Sequence, residues 1–491
     1  MTSTDVDKLF INGIDGVKGE YLVKPIEYAQ LVQSLVADNP PVDEGGDEVK
    51  DPRQISWLRH VWRTISRPHL GVPLDVDPTD VRQAGWGIVF HEDESPAVKE
   101  ALAPLVERRR DQIGDEARVK VLEYKTGDRR ASWLARHNVG SGSIEPTSVP
   151  YYLLFVGSPA KIPFSFCHQI DVEYGVGLLH FDTAEGYQRY AQSLIEYETG
   201  ADVPNAREVV FFAPRHPGDR ATSLSADYLV NPLAQGEPTK HTVGVPQKYG
   251  YSSRTIRGES AEKAALAGVF NAGPGARPPA LLFAAGHGIG FPKGHPAQRQ
   301  GQGALLCQDW PGLGTISPDH YFAAQDLADD ARVRGLVMFC FACFGAGTPD
   351  RDRFTHTPGQ KPPPIADEPF FSALPQKLLS LPQGGALAFI GHVERAWGYS
   401  ISTPNAGAQL LPFENAIGSI LKGVPLGYAM KDFNERYAAL STSLSSMLEE
   451  VSFGAPVSPY ELAASWVERN DAEGYIVFGD PAVQLRATDL R

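Results

Sequence analysis

Leu336-Val337-Met338-Phe339-Cys340-Phe341-Ala342-Cys343-Phe344-Gly345-Ala346-Gly347 is the stretch that decides how this chain reads. An unbroken apolar run ends at Cys343, and small residues and glycines take over at once. A short apolar run closed by a glycine-rich turn fits a strand buried on both faces, as in a parallel sheet. A second run, Ala280-Leu281-Leu282-Phe283-Ala284-Ala285, ends in Gly286-His287-Gly288. In open α/β sheets reactive groups collect outside the carboxyl ends of the strands. Two such strands side by side would bring one thiol and one imidazole together there.

A thiolate is the nucleophile of cysteine chemistry, and an ordinary thiol, with a pKa near ~8.5, is mostly protonated at neutral pH. A nearby imidazole corrects this by taking the proton. Cys343 is therefore the candidate nucleophile and His287 the candidate base. Gly286 and Gly288 lack a Cβ, so the backbone there can turn sharply and approach a substrate closely. The amides of Gly288 and Cys343 are the candidate oxyanion donors. Cys340, inside the run, reads as a buried small hydrophobe. His392 follows a further apolar run, Gly385 to Gly391, and competes for the base role; otherwise it belongs to the pocket wall. The nucleophile elbow of α/β-hydrolases is a rival pattern, but Phe341 stands where that motif needs glycine.

The chain has 491 residues, 42% hydrophobic and 21% charged, which is ordinary for a globular protein and too long for one small core. A net charge of −14 argues against nucleic acid as a general partner. No run approaches the ~20 apolar residues that span a bilayer, and the polar start lacks a signal-peptide plan, so no membrane partner and a cytoplasmic location are expected. The four cysteines are too few for a disulfide scaffold. Cys340 and Cys343 have metal-like spacing, but residues i and i+3 of a strand do not converge. Residues 1–50 read as an N-terminal extension and linker, with a strand-like Lys8–Ile11, a helix around Ile26–Val36 and a breaker-rich 38–47. Residues 51–206 read as a non-catalytic α/β subdomain with strands near Trp86–Phe90, Val119–Tyr124 and Tyr151–Val156. Residues 207–491 read as the catalytic one, with strands at Val209–Ala213, Leu281–Ala285, Leu336–Phe341, Leu387–Ile390 and Tyr475–Phe478. Alternation of strands with helices such as Ala97–Arg110, Ala261–Val269, Phe370–Leu381 and much of 406–448 predicts a mainly parallel sheet. The proline-rich loop Thr348–Pro369 is expected to be exposed and open to nicking.

At His287-Gly288 and Ala342-Cys343 the chain resembles the caspase-like clan of cysteine peptidases, and within it the gingipain-like family. Tyr151 to Gly157, Ile162-Pro163, Asp171 to Gly177 and the Tyr187–Glu198 segment resemble that family's first subdomain, and Val477-Phe478-Gly479-Asp480-Pro481 its closing strand and turn. The similarity covers roughly residues 80–490. It implies a caspase-like three-layer α/β sandwich and a cysteine endopeptidase working through the His287/Cys343 dyad on a protein or peptide substrate. It also carries over Trp397 as a residue lining the specificity pocket, beside Ala285, Phe341, His392 and Glu394. In the arginine-cutting members an acidic residue binds the arginine; a rough register puts Ser223 there, so arginine preference does not transfer, although Asp219, Asp227 or Glu394 could supply a carboxylate. The segment Ile289–Trp310 is an extra piece, a flap or a plain hairpin insertion. By analogy with regulated members of the clan, the reading extends to a zymogen cut within Thr348–Pro369, by itself or by an upstream protease, and to a bacterial stress or defence role. The resemblance leaves calcium open, though no EF-hand spacing occurs; Asp309, Asp350 and Asp352 read as isolated surface carboxylates. Two alternatives stay beside it: a catalytically silent caspase-like regulatory protein, and a cysteine hydrolase of a small amide.

Overall fold

The computed structural model describes residues 8–9, 12–23, 26–37, 72–73, 75–140, 142–237, 241–271, 275–354, 361–396, 401–403, 407–453 and 456–491. Trp397 and the predicted linker at 38–47 lie outside these residues.

The strands of the central sheet are short and apolar, and most are buried along their whole length. In chain order they are β1 (Trp86–His91), β2 (Val119–Tyr124), β3 (Tyr152–Val156), β4 (Gly175–Leu179), β5 (Ala206–Ala213), β6 (Ser252–Arg257), β7 (Pro279–Ala285), β8 (Val337–Phe341), β9 (Ala388–His392) and β10 (Tyr475–Phe478). Their spatial order is β2-β1-β3-β4-β10-β9-β8-β7-β5-β6. The interior strands β3, β4, β7, β8, β9 and β10 have no exposed position, as expected for a sheet covered on both faces. The two outermost strands differ: β2 alternates and β6 reads Ser-Ser-Arg-Thr-Ile-Arg, so charge and polarity blunt both edges.

All neighbouring strands are parallel except β9 and β10, which pair antiparallel. The sheet is therefore two parallel blocks of opposite direction: β2, β1, β3, β4 and β10, then β9, β8, β7, β5 and β6. The mainly parallel α/β sheet predicted from the sequence is present, and helices flank it. α1 (Tyr28–Ala37) falls in the N-terminal extension. α2 (Pro96–Ile113) starts at Ser95, whose hydroxyl accepts from the Val98 amide, and stops at Gly114 in the left-handed region. α3 (Ala184–Thr199) is capped by Thr183, and α4 (Leu411–Leu421), α5 (Lys431–Ser452) and α6 (Pro459–Gly474) follow late in the chain. The helix predicted across Phe370–Leu381 is shorter, Ala373–Leu379, because Phe370–Phe371 pairs antiparallel with Gly347–Thr348.

A buried ion cluster ties β10 to the rest of the first block. Arg109 of α2 is fully buried and meets Asp480 at 2.9 Å and Glu198 of α3 at 2.8 Å. Asp480 also accepts from the Trp86 indole at 3.0 Å, and its amide donates to the Tyr190 hydroxyl. The turn after β10 is thus locked onto two helices, α2 and α3, and onto β1.

Candidate active site

Register brings the two reactive residues to one level. β7 and β8 are parallel, with Ala285 opposite Phe341 at their carboxyl ends, and the Gly286 amide donates to the Phe341 carbonyl. His287 and Cys343 each lie two residues beyond that last pair. Gly288 must be glycine, because a Cβ built on it would stand 1.9 Å from the Cys343 carbonyl oxygen. The same close approach puts the two candidate oxyanion residues, Gly288 and Cys343, back to back.

The His287 side chain is fully buried, with both nitrogens engaged. Nδ1 accepts a hydrogen bond from the Gly13 amide at 3.0 Å. An acceptor at Nδ1 places the ring proton on Nε2, which faces Asp219 Oδ2 at 2.7 Å. Asp219 sits just past the carboxyl end of β5, the strand beside β7, and caps the short helix Arg220–Ser223. It accepts from the Ala221 and Thr222 amides, the Thr222 hydroxyl and the Tyr21 hydroxyl. Burial opposes its charge, but His287 and these donors together hold the carboxyl well below its usual range. Tyr21 also packs edge-on against the imidazole, with ring centroids 5.6 Å apart.

Cys343 is fully buried. Its sulfur donates to the Asn12 carbonyl oxygen at 2.7 Å and accepts from the Ala396 amide at 3.2 Å. Burial pushes the thiol up to about 12, against the Ala396 amide and the Arg395 charge, so it is a neutral thiol in this arrangement. Among the described residues the sulfur and the imidazole share no hydrogen bond with each other. Each is bonded to one side of the same peptide unit, Asn12–Gly13.

The surrounding backbone is strained. Phe344 at φ 56° and Glu394 at φ 76° are non-glycine residues in the left-handed region, and the Phe344 amide donates to the Glu394 carbonyl. Such residues cost on the order of 1–3 kcal/mol each and cluster where chemistry fixes the geometry. The Glu394 carboxylate accepts from the Arg353 amide at 2.9 Å and lies 3.4 Å from its guanidinium. Burial nonetheless raises the Glu394 carboxyl to about 7.

The remaining sequence candidates fall as follows. Ala285 and Phe341 are the last residues of β7 and β8, directly beneath the pair. His392 ends β9, but its Nε2 bonds the Asp471 carbonyl of α6 at 2.9 Å, and the ring packs edge-on to Tyr475. The Ser223 hydroxyl donates to the backbone carbonyl of Asp219, one turn back along the short helix. Asp227 pairs with Arg215 and Arg257 at the surface. Asp352 is not the surface carboxylate it was read as: it is buried and paired with Arg395, because the limb of the 348–369 loop that carries it folds inward. Phe354 of the same limb is buried too, so that stretch is less exposed than its composition predicts. Asp309 accepts from the Lys263 amide, and Asp350 lies beside Arg351. Among the described residues, one group of three, His91, Glu92 and Asp93 at the end of β1, has ligand atoms close enough to share an ion.

The extra segment Ile289–Trp310 forms a small lobe of its own. Leu305–Leu306 pairs with Tyr321–Phe322, and Ile289–Gly290 pairs with Ile14–Asp15 of the N-terminal extension. Sequence reasoning missed that pairing, and missed Asn12, Gly13 and Tyr21 altogether. Asp219 was weighed only as a pocket carboxylate. Its signal was present: a Gly-Asp cap at the end of a buried strand that pairs with the histidine's strand.

No family model matches the chain, and no curated protein matches it. Among solved structures it is similar to the Arg-specific cysteine proteinase gingipain R (RGPB), with a TM-score of 0.48 and 13% identity over 82% of this chain and 79% of that one. It is similar to a structure of a protease, with a TM-score of 0.43 and 13% identity over 82% and 78%. It is also similar to the complex of Porphyromonas gingivalis RgpB pro- and mature domains, with a TM-score of 0.44 and 14% identity over 82% and 80%. No helix among the described residues is long and apolar enough to cross a membrane.

Proposed function

We propose that the chain is a cysteine endopeptidase with Cys343 as nucleophile, His287 as general base and acid, and Asp219 holding the imidazole. The observation that carries this reading is the pair of contacts to one peptide unit: thiol to carbonyl oxygen at 2.7 Å, imidazole Nδ1 to the following nitrogen at 3.0 Å. Peptide cleavage by a thiol needs those partners on those two sides. The sulfur attacks the carbonyl, and the imidazole first takes the thiol proton and then delivers it to the leaving nitrogen. Asp219 fixes the tautomer that leaves Nδ1 free for this work. The Gly288 and Cys343 amides are the donors for the oxyanion.

A neutral, enclosed thiol favours a held, inactive form of this enzyme over a continuously active one. Regulation by cleavage within 348–369 fits the way Asp352 and Arg353 brace Arg395 and Glu394, next to the Ala396 amide on the sulfur. The deciding experiment is a peptide-library digest by the purified chain and by Cys343→Ala. Cleavage by the first and not the second supports the reading. A catalytically silent protein would cut with neither, and a small-amide hydrolase would spare peptides while turning over simple amides.

A further inference from the structure

Residues 12–22 form a hairpin laid through the cleft. Asp15 accepts from the Val17 and Lys18 amides at 2.8 and 2.9 Å and closes the tip, and the Leu22 amide donates back to the Gly13 carbonyl at 3.0 Å. On the far side of the imidazole the hairpin is tied to the Ile289 lobe: the Ile14 amide donates to the Gly288 carbonyl, and the Gly16 amide to the Gly290 carbonyl at 2.8 Å. On the near side the Asn12 amide donates to the Ala396 carbonyl at 3.2 Å. The backbone is thus bonded on both flanks of the Asn12–Gly13 unit, as a bound substrate would be.

Both residues at the centre are chosen for close approach. Gly13 has φ 110°, and a Cβ built on it would fall 3.1 Å from the Cys343 sulfur. Asn12 is 1% exposed, and among the described residues neither its amide oxygen nor its amide nitrogen has a hydrogen-bond partner. Burying an unpaired amide costs roughly 1–3 kcal/mol, so chain contacts hold Asn12 there against its own solvation.

We infer that Asn12–Gly13 is a scissile bond of the chain itself, and that the pocket takes peptides with glycine on the leaving side of the cut bond, where a Cβ would crowd the sulfur. The inference rests on the peptidase reading above and supplies its substrate class. In the step, the thiol proton passes to His287 Nδ1 as the Gly13 amide lets go of it. The sulfur bonds to the Asn12 carbonyl carbon, and the carbon–nitrogen bond to Gly13 breaks as the imidazolium returns the proton to that nitrogen. Water then hydrolyses the thioester, leaving a carboxylate on Asn12 and a restored thiol. While the hairpin is uncut it excludes other peptides.

The test uses the full chain. Wild type and Cys343→Ala are purified and followed by intact mass; the expected result is loss of residues 1–12 and a new N-terminal Gly13 in wild type alone. The Cys343→Ala control separates this from spontaneous chemistry at the Asn-Gly pair. In parallel, a synthetic peptide of residues 9–17 should be cut between Asn and Gly, and its Gly13→Ala version at least ~10-fold more slowly. If residues 1–12 persist and the 9–17 peptide survives while the enzyme cuts other peptides through Cys343, the inference is overturned and the peptidase reading stands. If nothing is cut in a Cys343-dependent way, the peptidase reading fails as well.

Discussion

The His287 imidazole meets the Gly13 amide with one nitrogen and Asp219 with the other, and under the proposed function that division of labour predicts how it fails. Asp219→Asn keeps the shape but offers an amide where a carboxylate stabilised the imidazolium. A fall in kcat of about 10²–10⁴-fold is expected, with KM little changed. Steady-state kinetics on the 9–17 peptide checks this, and an unchanged kcat would leave Asp219 a purely structural cap. Gly288→Ala is a harsher change. With a Cβ 1.9 Å from the Cys343 carbonyl, the turn has to move, so activity should vanish in a chain that still shows native-like circular dichroism elsewhere. At this scale the meeting of Cys343 and His287 at one sheet edge was legible because each closes an apolar strand run. The carboxylate against the imidazole was not, because 68 residues separate Asp219 from His287 and only the β5–β7 pairing brings them together.

The segment after β9 and the limb 351–354 form one element around the thiol, and its chemistry is pH-dependent. Glu394 goes from an ordinary 4.5 to about 7 on burial. A carboxyl whose folded value is raised favours folding while protonated, so its contribution is complete below about 4.5 and is lost as pH rises through about 7. Wild type should therefore lose thermal stability relative to Glu394→Gln between those values. Melting curves of both proteins across that range decide it, and parallel curves would refute it. The strands of the central sheet were largely legible, since buried strands read as continuous apolar runs. Polar β6 and glycine-containing β4 were not recognised as strands, and α6 was not recognised as a helix. The hairpin at 12–22 was not legible either, because its partners are backbone atoms of residues 288–290 and 396, which carry no sequence signature.

On the scale of the whole molecule, the buried Arg109, Glu198 and Asp480 cluster fastens the central strand β10 to α2 and α3. Asp480→Ala removes one of two carboxylates from a fully buried guanidinium and also strips the Trp86 indole of its acceptor. A loss of about 3–5 kcal/mol is expected, read from urea unfolding, with Glu198→Ala smaller because Glu198 is slightly exposed. Retention of full stability in Asp480→Ala would mean that the turn after β10 is held mainly by apolar contact.

The strand that joins those blocks, β10, is the last of the ten to leave the ribosome, yet it lies in the middle of the sheet between β4 and β9. Until residues 475–478 are made, the two parallel halves have no shared ladder and the turn bearing Asp480 has no place to dock. A nascent or prematurely terminated chain therefore holds two unjoined halves. Synthesis of β10 is therefore the step after which the two halves can share one sheet.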